Sequence, residues 1–399
     1  MAEWRAGHVS RINNRRAVAS LIFGRMIYAV NWYNFAAVFT LIARDMNQNV
    51  SGLGLAVASF YFGVALFQIP GGLLAAKIGP KKTATYGTIL ASAAAMLTSV
   101  ATNFPQLLLL RFLVGTGMAF VFAPGLILMA RYFRERAEGF SVGLFQAAFY
   151  LGGAFGIFAW AVLADAWGWR ESLAISGGIG ILTALLMFLL LPGDPIREDF
   201  AMEVREIRKI LASRWLLLLG IGMFGVDGIT SLITSFMVFY LQNSQHANAV
   251  LAGGVGALAL IAPLISSPLF GVLHDRTRNP AWLMFLCGAA AITGLELTSL
   301  HSVTAAILAN LVVGFANGGA LTAGFSAARE LVHGEYETLA VSCINSTGLF
   351  AGFFFPPLFS WTVLSFGYPT AWMLSGFYLL PFITAVLLSK AKSFANHTS

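Results

Sequence analysis

Residues 215–241 read WLLLLGIGMFGVDGITSLITSFMVFYL, a run apolar enough to cross a bilayer that nonetheless carries Asp227 near its centre. About 20 such residues span the hydrocarbon core as a helix. Gly220, Gly222 and Gly225 within it have the spacing of a dinucleotide-binding loop. That loop has meaning only where it joins a strand to a helix and is followed by an acidic residue for the ribose. Inside one apolar run the glycines read instead as small residues that let helix backbones approach. The segment is a transmembrane helix with a carboxylate inside it.

The rest of the chain has the same character. Its 399 residues are 58% hydrophobic and only 10% charged, more apolar surface than a water-soluble core of this length needs, so the excess faces lipid. Twelve apolar runs are expected as membrane-spanning helices, at 18–43, 52–76, 83–103, 105–130, 139–164, 171–192, 215–241, 249–273, 281–300, 302–327, 338–366 and 369–389. The first is too long, and lacks the small-residue site, for a cleaved signal peptide. The two cysteines, Cys287 and Cys343, lie in apolar segments and suggest no disulfide framework. The six histidines are scattered among connections and tails, so no metal site is expected. No cofactor is expected either.

The net charge of +7 has a topological reading. Of the 24 lysines and arginines, twenty fall in the N-terminal tail, the even-to-odd connections or the C-terminal tail. Only Arg44 and Arg170 lie in connections on the other side. Cytoplasmic loops are enriched in Lys and Arg, so both termini are expected in the cytoplasm, and no nucleic-acid partner is needed to explain the basic balance.

The chain also matches itself at a shift of 199 residues. Gly54 pairs with Gly253, Gly72 with Gly271, Gly115 with Gly314, Gly125 with Gly324, Gly153 with Gly352, and Gly168 with Gly367. One glycine match is weak, but a register shared from the second helix to the twelfth is not. The expected organisation is an all-α integral membrane protein with two pseudo-symmetric six-helix bundles, residues 1–192 and 214–399. Residues 193–213 join them, with Phe200, Val204, Ile207 and Leu211 at helical spacing under a charged face. Such a segment reads either as a surface-lying amphipathic helix or as a solvated linker.

Parallel six-helix repeats with a midplane binding site are one transporter architecture, and the chain resembles the major facilitator superfamily over nearly its whole length. That family carries G-x-L-A-D-R-x-G-R-R/K after its second helix. Here the first copy runs from Gly72 through Lys77 and Gly79 to Lys81, with Ala76 in place of the aspartate. The second copy starts at Gly271 and keeps Asp275 and Arg276. A helix-4 signature, R-x-x-x-G-x-G-x-A, is matched by Arg111, Gly115, Gly117 and Ala119. The resemblance implies that Gly72, Lys77, Gly79, Lys81, Gly271, Asp275 and Arg276 belong to a gate. It further implies that Asp275 caps a helix in the opposite half near Glu138 and Gly139. The helix-5 antiporter signature is only partly kept: Gly143, Gly152 and Gly156 match, while Ile157, Trp160 and Ala161 depart from it.

Ionisable residues inside the hydrocarbon are costly and point to function by default. Asp227 leads a polar stripe with Thr230, Ser231 and Thr234 at helical spacing. The repeat maps that stripe onto Tyr28, Asn31, Trp32 and Phe35, so both faces are expected to meet one pocket. The alternative for Asp227 is a permanently protonated structural residue. Arg25 lies one helical turn from Tyr28 and could reach Asp227, hold an anion, or snorkel to the headgroups. Arg111 is associated with proton coupling by the family resemblance; outward snorkelling is its alternative. Glu296 reads as interfacial. Gln146 and Asn345 correspond across the repeat, as Asn310 does to Arg111, and Asn317 follows Asn310 by two turns. These amides either orient a ligand or tie helices together. Tyr28, Trp32, Tyr33, Tyr61, Phe149 and Tyr150 are candidates to shape the pocket.

These residues predict a non-enzymatic secondary transporter of the cell membrane, working as a monomer. It would couple a small organic anion to inward proton movement, with Arg25 and Asp227 partly neutralising each other when empty. Its expected partners are the bilayer, the solute and protons. Proton-coupled efflux of lipophilic compounds is the second reading, and a membrane-embedded sensor a third from another class.

Overall fold

The computed structural model describes residues 2–131, 138–191, 193, 212–277, 279–331 and 337–380. Among them the chain is helical and contains no strand. The elements are α1 (Ala2–Asp45), α2 (Val50–Ile78), α3 (Pro80–Thr98), α4 (Phe104–Ala119), α5 (Phe122–Arg131), α6 (Glu138–Trp167) and α7 (Trp169–Leu190). There follow α8 (Arg214–Ser244), α9 (Ala249–Ile261), α10 (Pro263–Thr277), α11 (Pro280–Ser299), α12 (Val303–Leu331), α13 (Glu337–Leu349) and α14 (Ala351–Ser375). The joining segment lies almost wholly outside the described residues.

Local chemistry sets the helix starts. Asn49, Asn103, Asn248 and Asn279 each accept a hydrogen bond from a backbone N–H in the first turn of the helix that follows, a cap of about 0.5–2 kcal/mol. Asn49 and Asn248 are mates in the 199-residue repeat. Gly168 and Gly367, also mates, turn the chain with φ of +95° and +81°, a region that a Cβ disfavours. The match noticed in sequence is therefore a shared turn.

Among the described residues, ten helical stretches are long and apolar enough to cross a membrane. Two differences account for the gap from the expected twelve. Helix α3 is rich in Ser, Thr and Ala and falls short on hydropathy; Thr83, Thr88 and Thr98 return their hydroxyls to the carbonyl four residues back. The runs expected at 338–366 and 369–389 form one stretch, Ala340–Leu379, broken at Gly367. Large apolar side chains cover the outer surface, among them Leu182, Leu189, Ile265 and Trp361, as a lipid-facing wall requires.

Packing repeats as well. A Cβ on Gly115 would stand 2.0 Å from the Phe60 carbonyl oxygen, and one on Gly314 would stand 2.5 Å from that of Ala259. Both members of the contact are displaced by 199 residues. The helix-4 signature glycine is thus a site of backbone-to-backbone approach between α4 and α2.

Helices from the two sequence halves meet along three seams: α1 with α8, α2 with α13 and α14, and α6 with α9. At one end Asn243 donates to the Thr40 hydroxyl at 3.4 Å, and Phe39 lies 5.7 Å from Phe239, centroid to centroid. Further along, Phe62 packs on Phe353 at 5.0 Å, and Ser346 donates to the Ala65 carbonyl at 2.9 Å. The first two contacts close the helices together at the Thr40–Asn243 end, and the last two lie beside a cavity.

Candidate functional site

The cavity has a volume of about 80 Å³, room for several waters when an ordered one needs about 10–15 Å³. Helices α1, α2, α5 and α6 line it from the first half, and α8, α12 and α13 from the second. The first-half wall is aromatic: Tyr28, Trp32, Tyr33, Tyr61, Phe122, Phe149 and Tyr150. The second-half wall carries Asp227, Thr230, Asn317 and Asn345 beside Leu321, Phe325 and Leu349.

Arg25 enters from α1 and is buried, 3% exposed; it does not snorkel. Its guanidinium carbon lies 4.4–5.1 Å from the ring centroids of Phe149, Tyr28, Phe145 and Phe122, each a cation–π contact. Its Nη2 donates to Gln146 Oε1 at 3.1 Å, while Nε and Nη1 have no hydrogen-bond partner. Arg25 and Asp227 line the same cavity but form no ion pair, which corrects the expected mutual neutralisation. Rings and an amide, not a carboxylate, surround the cation.

Asp227 stands where the second half leaves a gap. A Cβ on Gly348 of α13 would lie 2.0 Å from Asp227 Oδ2, so only glycine leaves the carboxylate its place. That oxygen is buried and has no hydrogen-bond partner. A buried carboxylate oxygen without a partner is costly.

A smaller void of about 10 Å³ lies toward the sealed end, lined by Trp32, Tyr33, Phe35, Phe60, Tyr61, Arg111 and Ser235. Arg111 is 4% exposed, its guanidinium 4.3 Å from the Phe35 ring centroid and 4.5 Å from that of Phe60. It too is buried rather than snorkelling. Trp32, whose Nε1 donates to the Tyr61 hydroxyl at 3.4 Å, stands between the two spaces.

Of the residues singled out from sequence, Arg25, Tyr28, Trp32, Gln146, Asp227, Thr230, Asn317 and Asn345 meet in the cavity. Asn31 does not: it is buried, bonds the Ile27 carbonyl and turns toward Gly180 of α7. The cavity-facing sector of α1 centres near Arg25 and Trp32, about a third of a turn from Asn31 at 100° per residue. Ser231 bonds back to the Gly228 carbonyl. Thr234 shares the Asp227 face but lies seven residues on, about 10 Å at 1.5 Å per residue, and bonds to the Thr230 carbonyl. Asn310 is likewise two turns from Asn317, fully buried and bonded to the Ala306 carbonyl. These four are packing or outer-level residues.

Sequence reasoning missed Gln68, whose buried amide lines the cavity with neither end bonded. As an amide inside an apolar run it was visible, but it has a serine, Ser267, as repeat mate and so stood outside the paired candidates. Phe122 and Leu321 were also missed, although they are mates of each other.

Among the expected gate residues, Gly72 has open space beside it and Gly271 meets only Thr322 Cγ2, at 3.9 Å. Gly79 turns the chain between α2 and α3 at φ +96°. Lys81 donates to the Leu191 carbonyl, and Lys77 and Arg276 are exposed. The side chain of Asp275 and its expected partners Glu138 and Gly139 lie outside the described side chains. Glu296 is exposed.

A buried cavity between two sets of pseudo-repeated membrane helices, sealed at one end, defines a transporter-type fold. The Major Facilitator Superfamily model matches residues 21–306 and, overlapping, 240–397; the chain belongs to that superfamily of transporters, which are not enzymes. It is 26% identical over 282 residues to a probable sulfoacetate transporter, SauU, of Cupriavidus necator, covering 66% of this chain and 65% of that protein. It is 23% identical to the probable galactarate/D-glucarate transporter GudP of Escherichia coli over 73% of this chain and 71% of that one. The 4-hydroxybenzoate transporter PcaK of Pseudomonas putida is 24% identical over 77% of each. The fold matches an inward-facing, occupied bacterial homologue of the human lysosomal transporter Spinster with a TM-score of 0.77 at 17% identity, covering 94% of this chain and 96% of that one. The nucleoside transporter NupG also matches at 0.77, with 12% identity over 93% and 99% of the two chains.

Proposed function

We propose that this chain is a secondary transporter that carries a small organic anion across the cell membrane together with protons, by alternating access. The observation that carries the reading is the pairing, in one cavity, of a guanidinium with two unbonded donor atoms and a carboxylate with an unbonded oxygen. Similar proteins named as transporters of sulfoacetate, galactarate or D-glucarate, and 4-hydroxybenzoate support the anionic solute.

The substrate's carboxylate approaches Arg25 as its ring cage and Gln146 give way, forming a charge-assisted contact. Asp227 takes up the accompanying proton, and the loaded site approaches neutrality before the helices rock across it. With α3 and the two arms of α14 each counted as a crossing, the helices number twelve, in two bundles of six, residues 1–192 and 214–399. Both termini then lie in the cytoplasm, the Thr40–Asn243 seal faces outward, and the structure represents an inward-facing monomer. Gly72, Gly79 and Gly271, with Lys77, Lys81, Asp275 and Arg276, border the cytoplasmic gate.

Uptake into proteoliposomes under an inward proton gradient tests this. Wild type accumulates the anion against its gradient, and Asp227→Asn loses accumulation while keeping anion exchange. Undiminished accumulation by that variant would remove Asp227 from the coupling role.

A further inference from the structure

Three features of the cavity bear on which anion it takes. First, among the described residues Arg25 is its one lining cation; Arg111 stands behind Trp32 and Tyr61 in the separate void. A diacid would bring two negative charges to one guanidinium with Asp227 nearby, and uncompensated charge becomes costly once the helices close over the solute. Second, the surroundings of that cation are ring faces, Phe149 and Tyr28 at 4.4 and 4.6 Å. A flat aromatic body attached to the captured carboxylate would lie among them in offset or edge-on contact. A polyhydroxylated chain in the same place would forgo that ring-face contact and depend on the hydroxyls of Tyr28, Tyr33, Tyr61 and Tyr150 for its hydrogen bonds. Third, the opposite wall carries an acid and two amides, Asp227, Asn317 and Asn345, and among their acceptors Asp227 Oδ2 and Asn317 Oδ1 are buried and unbonded.

We propose, resting on the anion-transporter reading above, that the cavity selects an aromatic monocarboxylate carrying a hydrogen-bond donor at the end remote from its carboxylate. The carboxylate goes to Arg25, the ring to the wall of Tyr28 and Phe149, and the donor to Asp227 and Asn317. Polyhydroxylated diacids and short sulfonates fit this division of the cavity poorly.

Calorimetric titration of the full-length purified protein with 4-hydroxybenzoate, benzoate, glucarate and sulfoacetate tests it, with thermal melts confirming that each variant is folded. The hydroxylated aromatic acid should bind at least about tenfold tighter than glucarate or sulfoacetate. It should bind about tenfold tighter than benzoate, because a site built to bond a hydroxyl rejects the analogue that lacks it. Asp227→Ala should bring 4-hydroxybenzoate and benzoate to near-equal affinity, and Asp227→Asn should fall between. Glucarate or sulfoacetate binding as tightly as the aromatic acids, and losing affinity in Arg25→Ala, would overturn the selectivity and leave the anion reading intact. Benzoate binding as well as 4-hydroxybenzoate would overturn the donor subsite. If none of the four anions binds in an Arg25-dependent way, the anion reading falls and the selectivity falls with it.

Discussion

Part of the cavity wall comes from equivalent positions in the repeat, yet the chemistry at most of them differs. Where the first half has Tyr28, Phe122, Phe149 and Tyr150, the second has Asp227, Leu321, Gly348 and Leu349. All of these but Gly348 line the cavity, and Gly348 abuts the Asp227 carboxylate. The repeat also preserves what builds the scaffold: the helix-capping asparagines 49 and 248, the turn glycines 168 and 367, and the backbone contacts of Gly115 and Gly314. Packing constraints act alike on both halves, because backbone approach and turns admit few residues. The proposed aromatic acid has two unlike ends, which two identical walls would not tell apart.

The sharpest way to break this contrast is to give the second wall the first wall's residue. Gly348→Phe copies Phe149 into the place of the Asp227 carboxylate. Transport should be lost, with the overpacking costing about 1–3 kcal/mol in a thermal melt. Normal uptake by that variant would show that the glycine does not set the position of Asp227. Arg25→Lys tests the first wall more gently, since it keeps the charge but loses the planar group that stacks on rings and bonds Gln146. Anion affinity by titration should weaken about tenfold, against near-total loss in Arg25→Ala; equal behaviour of Lys and Arg would mean that charge alone matters.

Smaller effects are expected away from the walls. Asn243→Ala removes the hydrogen bond to Thr40 at the sealed end, a neutral bond of about 0.5–1.5 kcal/mol. It should raise labelling of a cysteine placed in the seal several-fold with little change in melting temperature. Unchanged labelling would assign the closure to Phe39 and Phe239. Smallest of all, Gly72→Ala meets no atom within 4 Å and should change stability by no more than about 0.5 kcal/mol, as open surface positions do. A large loss of transport in that stable variant would show that Gly72 meets a partner in another state of the cycle, as a gate residue should.

Much of the fold was legible because the membrane imposes coarse rules. Long apolar runs and a fixed repeat require no tertiary knowledge. The break at Gly367 was placed correctly between two expected helices, since a glycine turn leaves a local mark. Helix α3 was also located, although its threonines lower its hydropathy. The candidate site was legible in kind more than in detail: Asp227, Arg25, Gln146 and Asn345 stood out as polar groups where lipid or protein should be apolar.

What the sequence by itself determined is the class of protein, the order of its helices, the internal repeat and the presence of costly polar groups within the membrane. Tertiary structure decided which of those groups share a cavity. Helical periodicity fixes the angles between residues on one helix but not the rotation of that helix against its neighbours. It could not tell that Trp32 faces the cavity while Asn31 turns toward Gly180. It could not tell that Arg25 is held by aromatic rings from α5 and α6 rather than by Asp227. Lipid and a protein interior both favour apolar side chains, so only the packing of helices distant in sequence separates a pocket wall from an outer surface.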